Sequence, residues 1–139
     1  KHTVVLEKQY GELPSVPCYA MQLKQVVMNL LVNAYQAIEE RYGASGEMGR
    51  IVVATRETRG GVEIAVSDDG VGIAPELRDR IFDPFFTTKK VGAGTGLGLS
   101  TSYNIVRRHG GRIAVDSEPG RGTTFRVWLP LDVDDEDAT

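Results

Sequence analysis

A two-layer α+β sandwich is the fold class this sequence predicts, with a mixed sheet of about five strands covered by helices on one face. Three observations predict it. Five short segments carry strand-like patterns, and two longer ones carry helical periodicity. The 139 residues contain no internal repeat and no linker long enough to separate domains. A chain of this size buries roughly 68% of its unfolded surface, enough for one core without covalent staples.

Residues 3–10 alternate well enough for a first strand, and Gly11, Pro14 and Pro17 then break the pattern. From Tyr19 to Arg41 the period is helical. Leu23, Val26, Val27, Leu30, Leu31, Ala34 and Ile38 recur at i, i+3, i+4 spacing and form a broad apolar stripe. Gly43, Gly46 and Gly49 mark a loop. Strands are expected at 50–57 and 62–67, joined by a hairpin turn at Arg59-Gly60-Gly61. Pro75 suits the first turn of a short helical piece ending near Arg80. Residues 82–97 read as a long loop that orders on demand. A second helix from Gly98 to His109 stops at Gly110, with Arg107, Arg108 and His109 placed to suit its dipole. Strands at 111–117 and 123–130 close the chain.

Composition narrows the function classes. Net charge is −3, but Asp132, Asp134, Asp135, Glu136 and Asp137 crowd the last eight positions. The first 131 residues carry 14 acids against 16 bases, so no strong nucleic-acid footprint is expected. Residues 1–131 are read as one domain and 132–139 as an acidic, disordered tail. Cys18 is the single cysteine, which rules out an internal disulfide. No apolar run approaches the roughly 20 residues of a membrane span, so a soluble fragment without direct membrane contact is expected.

Three segments carry chemistry. In the first helix Asn29 and Asn33 lie side by side, with Gln25 and Gln36 beyond them and apolar Met28, Val32 and Tyr35 on the far side. The two amides are either water-bonded surface groups or, at i and i+4, oxygen ligands facing one Mg²⁺. The second segment is Asp68-Asp69-Gly70-Val71-Gly72, directly after a strand. It is either an ordinary Asp/Gly turn or a carboxylate that accepts from the exocyclic amine of adenine, where guanine offers a carbonyl. The third is the run Gly92, Gly94, Gly96, Gly98 leading into a helix. Such a run is either flexible linker or an anion cradle of unhindered N–H groups, and the apolar pattern of Leu99, Tyr103 and Val106 favours the cradle. It is neither a Walker A loop nor a dinucleotide fingerprint.

The order of these segments is more specific than any one of them. Asn29-x-x-x-Asn33-Ala34, Asp68-x-Gly70-x-Gly72, Phe82-x-Pro84-Phe85, Gly94-x-Gly96-x-Gly98 and Gly120-x-Gly122-Thr123 follow one another as the nucleotide-binding boxes of sensor histidine kinases do. From about residue 3 to 131 the chain resembles their catalytic, ATP-binding domain, within the Bergerat-fold ATPase superfamily. The resemblance implies Mg-ATP as the bound species. It implies Asn33 as the main Mg²⁺ ligand with Asn29 assisting, and Asp68 on the adenine amine. Gly70, Gly72 and Ile73 would shape the base pocket. Thr123 would help through Asp68 or a water. Gly94, Thr95, Gly96, Leu97, Gly98 and Leu99 would wrap the phosphates within a mobile lid anchored by Phe82, Phe85 and Phe86. Lys89 and Arg80 would reach the phosphates as catalytic cations.

The chain departs from the pattern at two positions. Gln36 stands where some relatives have a phosphate-binding Lys, and Cys18 where many have a helix-capping Asp. Asn29 separates sub-classes. In superfamily members that hydrolyse ATP, such as the gyrase and heat-shock chaperone ATPases, that position is a Glu that activates water, and Asn cannot act as a general base. The resemblance therefore implies a γ-phosphate kept for a histidine on a dimerisation domain, with a response regulator downstream. Neither His2 nor His109 suits that role, so the phosphoacceptor is expected outside this chain. A cytoplasmic domain of a parent that could be membrane-anchored is implied as well. Two alternatives stay open: a catalytically silent adenine-nucleotide-binding module, and a serine kinase of the anti-sigma-factor type on the same fold.

Overall fold

The computed structural model describes residues 4–10, 20–83 and 98–130. Strand β1 (Val4–Tyr10) is followed by helix α1 (Ala20–Tyr42) and the hairpin β2 (Gly49–Thr58) and β3 (Gly61–Asp68). A 3₁₀ helix (Pro75–Arg80), helix α2 (Gly98–Arg108) and the hairpin β4 (Arg112–Glu118) and β5 (Gly122–Pro130) complete it. The expected strands and helices are all present, each within a residue or two of its predicted bounds. The expected acidic tail and most of the expected long loop lie outside the described residues.

The sheet order is β1-β2-β3-β5-β4. β1 runs parallel to β2 and every other pairing is antiparallel, so the sheet is mixed. Both helices pack on one face. The apolar stripe of α1 supplies Val26, Leu30, Ala34 and Ile38, each at most 2% exposed. They meet Ile51 and Val53 of β2, Val62 and Val66 of β3, and Phe125, Val127 and Leu129 of β5, with Ile105 and Val106 of α2 closing the layer. Burying a side chain such as Leu30 or Phe125 contributes roughly 1.5–3 kcal/mol. Phe82 leans on this core, its ring 5.4 Å from Tyr103 and 6.2 Å edge-on from Phe125.

The other face of the sheet carries charge. Arg56 of β2 bonds Glu63 of β3 at 2.9 Å, Arg126 of β5 reaches the same carboxylate at 3.6 Å, and Arg126 also meets Asp116 of β4 at 3.4 Å. The Glu63 hydrogen bond, and then its charge, hold the Arg56 guanidinium above its ordinary value. Alternation along each strand therefore sorts residues into an apolar helix side and a solvated outer side. Among the described residues no helix is long and apolar enough to cross a membrane.

Candidate functional site

The apolar face of the sheet ends in a polar row. In β3 the side chains of Val62, Ile64, Val66 and Asp68 share the helix side, because every second residue does. Asp68 sits opposite Ile51 of β2 and Thr123 of β5, and Thr123 sits opposite Ser117 of β4. Asp68, Thr123 and Ser117 thus stand side by side across three strands, and the first two are buried, at 8% and 4% exposure. Buried polar groups need partners. One Asp68 oxygen accepts the Gly70 N–H at 2.8 Å. A carboxylate offers about four acceptor sites, of which the Gly70 N–H takes one.

Ser117 was missed in the sequence. Its hydroxyl accepts the Ile73 N–H at 2.7 Å, donates to the Gly122 carbonyl at 3.1 Å, and lies 2.8 Å from the Thr123 hydroxyl. A serine has one proton. With that proton on Gly122, Thr123 is the donor in the shared contact, and its oxygen remains an acceptor on the Asp68 side of the row. The signal was available: strand alternation puts Ser117 on the same face as Thr123.

The turn after β3 is clamped between α1 and the β4–β5 hairpin. Gly70 lies so close to α1 that a Cβ there would fall 2.5 Å from the Ala37 carbonyl carbon. The Val71 N–H donates to the Ala37 carbonyl at 3.2 Å. On the other flank Gly72 adopts φ +79°, and a Cβ there would run into the Glu118 carbonyl. Both conditions demand glycine. Arg41, also missed, donates to the Asp69 carbonyl at 2.8 Å and the Gly70 carbonyl at 3.3 Å. Asp69 itself is a structural acid: one oxygen accepts the Arg50 N–H at 2.9 Å and the other faces the Tyr42 hydroxyl at 3.5 Å.

Along α1, Asn29, Asn33 and Ala37 recur every four residues and so share one side of the helix. Ala37 touches the glycine turn that Asp68 caps. Asn29, about 12 Å away along the axis, touches α2: its amide nitrogen donates to the Gly98 carbonyl and to the Ser102 hydroxyl, both at 3.1 Å. Asn33 lies between them, half-buried. The side of α1 that carries the two asparagines therefore continues, without turning a corner, into the turn carrying Asp68.

The other expected site residues are placed as follows. Leu99 packs against the core, and the Ile73 side chain does too. Arg80 is exposed at the end of the 3₁₀ helix. The His109 ring donates to the Ile105 carbonyl at 2.8 Å, a helix-end contact. Lys89, Gly94, Thr95, Gly96 and Leu97, with Phe85, Phe86 and Cys18, lie outside the described residues. Among the described residues no three His, Cys, Asp or Glu side chains converge as a metal site would require.

Comparison with known proteins identifies the family. Residues 18–133 match the family model described as histidine kinase-, DNA gyrase B- and HSP90-like ATPase. The chain is 46% identical over 125 residues to the sensor histidine kinase ZraS of Escherichia coli strain K12, covering 90% of this chain and 25% of ZraS. It is similar in structure to the catalytic domain of histidine kinase ThkA in a nucleotide-free form, with TM-score 0.76 and 32% identity over 92% of this chain and 79% of that one. Full-length ShkA in complex with AMPPNP gives TM-score 0.79 at 27% identity, over 94% of this chain and 26% of ShkA. The chain thus spans about a quarter of the length of its curated relative ZraS. On the family match, this chain belongs to the histidine kinase-, DNA gyrase B- and HSP90-like ATPases, and its relatives and structural neighbours are sensor histidine kinases and their catalytic domains.

Proposed function

We propose that this chain is the ATP-binding catalytic domain of a protein-histidine kinase. It would bind Mg-ATP and present the γ-phosphate to a histidine on a helical dimerisation domain elsewhere in its parent, which then passes the phosphoryl group to a response regulator. The parent's kinase domain would work in the cytoplasm. The observation that carries the reading is the shared side of α1, where the two amides lead directly to the turn capped by Asp68. ShkA, a structural neighbour, is in complex with the ATP analogue AMPPNP.

The residues fit the nucleotide. Asp68 would accept from the adenine amine, and guanine, offering a carbonyl there, would be rejected by acceptor facing acceptor. Gly70 and Gly72 let the turn seat against Ala37 and the Glu118 carbonyl, and so fix the backbone that the base would meet. Asn33 and Asn29 would supply oxygens to Mg²⁺, a hard ion that shares phosphate oxygens and, when bound, neutralises their charge. Lys89 and Arg80 would add positive charge toward the phosphates. Gly94, Thr95, Gly96, Leu97, Gly98 and Leu99 would line the phosphate end.

No general base stands at Asn29, so water is not activated there. Catalysis would rest on positioning the γ-phosphate and offsetting its charge. The names of the relatives favour histidine over serine as acceptor. Calorimetric titration tests the binding half: ATP should bind with Mg²⁺ and GTP at least tenfold more weakly. Mixing the chain with the dimerisation domain of its parent should yield acid-labile phosphohistidine, with negligible ATPase activity from the chain alone. ATP hydrolysis that persists in Asn33→Ala would defeat the reading.

A further inference from the structure

We infer that Asn29 is a positioning residue, whose amide nitrogen fixes the first turn of α2 against α1 and thereby aims its own oxygen at the nucleotide site. The inference rests on the ATP-binding reading above and adds a role for Ser102, a residue with no expected contact to nucleotide. A primary amide has two N–H donors and one oxygen. Both donors of Asn29 are spent inside the protein, one on the Gly98 carbonyl and one on the Ser102 hydroxyl. Ser102 is wholly buried, so its hydroxyl is a fixed anchor. Two bonds from one nitrogen hold the amide plane, and the oxygen is the only polar atom left to face a ligand.

The same contact explains why a carboxylate is unsuited to this position. An acidic side chain would set an oxygen against the Gly98 carbonyl with no proton between them. Gly98 is the first residue of α2, at the point where the glycine-rich run enters the helix. Asn29 therefore ties the register of that helix start to the helix bearing Asn33, and Ser102 shares the tie from one turn further along α2.

A double-mutant cycle on Mg-ATP affinity tests this, using Asn29→Ala, Ser102→Ala and the double variant of the 139-residue chain, with urea midpoints measured in parallel. Ser102→Ala should weaken Mg-ATP binding about fivefold in the parent background and less than twofold when Asn29 is already alanine. In Ser102→Ala one side-chain amide proton resonance of Asn29 should move toward the free-amide position. Ser102→Cys, whose somewhat larger thiol keeps a weak acceptor, should fall between and serves if the alanine variant does not fold. Fully additive losses, or an unmoved Asn29 resonance, overturn the positioning role while leaving ATP binding intact. A parent chain that fails to bind Mg-ATP overturns both readings.

Discussion

The two ends of α1 are built differently. At the Ala37–Arg41 end the closest contacts are made by backbone and by missing side chains, with Gly70 against Ala37 and Val71 bonding the Ala37 carbonyl, and the Arg41 side chain adds bonds to two carbonyls of the turn. At the Asn29 end they are made by two polar side chains, Asn29 and Ser102. Backbone packed on backbone has no rotamer to change, whereas a side-chain amide can turn. The Ala37 end is therefore a rigid mould, and the end leading into α2 is a joint that a few hydrogen bonds set. That division suits a site in which a flat base is recognised by shape and a phosphate chain must later be handed on.

The largest effect should come from breaking the mould. Gly70→Ala puts a methyl into the Ala37 backbone and should lower stability by about 3 kcal/mol, read from the urea midpoint at unchanged m-value. A variant as stable as the parent would mean the turn can move away from α1. Next, Asp68→Ala should weaken ATP binding roughly 100-fold, an estimate for losing a hydrogen bond to a charged acceptor, and leave GTP nearly unchanged. Calorimetry on both nucleotides checks it, and equal losses for the two would remove Asp68 from base recognition.

Ser117→Ala removes the hydroxyl that accepts the Ile73 N–H and donates to the Gly122 carbonyl, and should cost about 1–2 kcal/mol of stability. It should also weaken ATP more than its small size suggests, because the polar row loses its end. The smallest change is expected far from both ends of α1. Glu63→Gln on the open face should cost about 1 kcal/mol or less and vanish in 1 M salt, as solvated ion pairs do.

Periodicity carried the fold. The α1 stripe, the proline opening the 3₁₀ helix and the glycine ending α2 were legible because each acts within a few residues of itself. The Asp/Gly turn after β3 was legible for the same reason, since its motif is five residues long. Ser102 and Arg41 were not. Asn29 meets Ser102 across 73 positions, and Arg41 meets its carbonyls across 28 and 29. Nothing local marks a serine in an amphipathic helix or an arginine in a last turn as a partner. Ser117 falls between these cases: alternation gives its face, but only the β4–β5 register gives its neighbour.

The neighbouring acids Asp68 and Asp69 divide their labour at the end of β3, one buried and bonding the Gly70 N–H, the other bonding the Arg50 N–H and facing the Tyr42 hydroxyl. Their identities are thus interchangeable by frame rather than by chemistry. Deleting one residue within β3 would slide the wrong carboxylate under the roof and evict the right one, though neither had been mutated. Insertions between Gly43 and Met48 carry no such hazard, so length variation among homologous chains should gather there and be absent from β3.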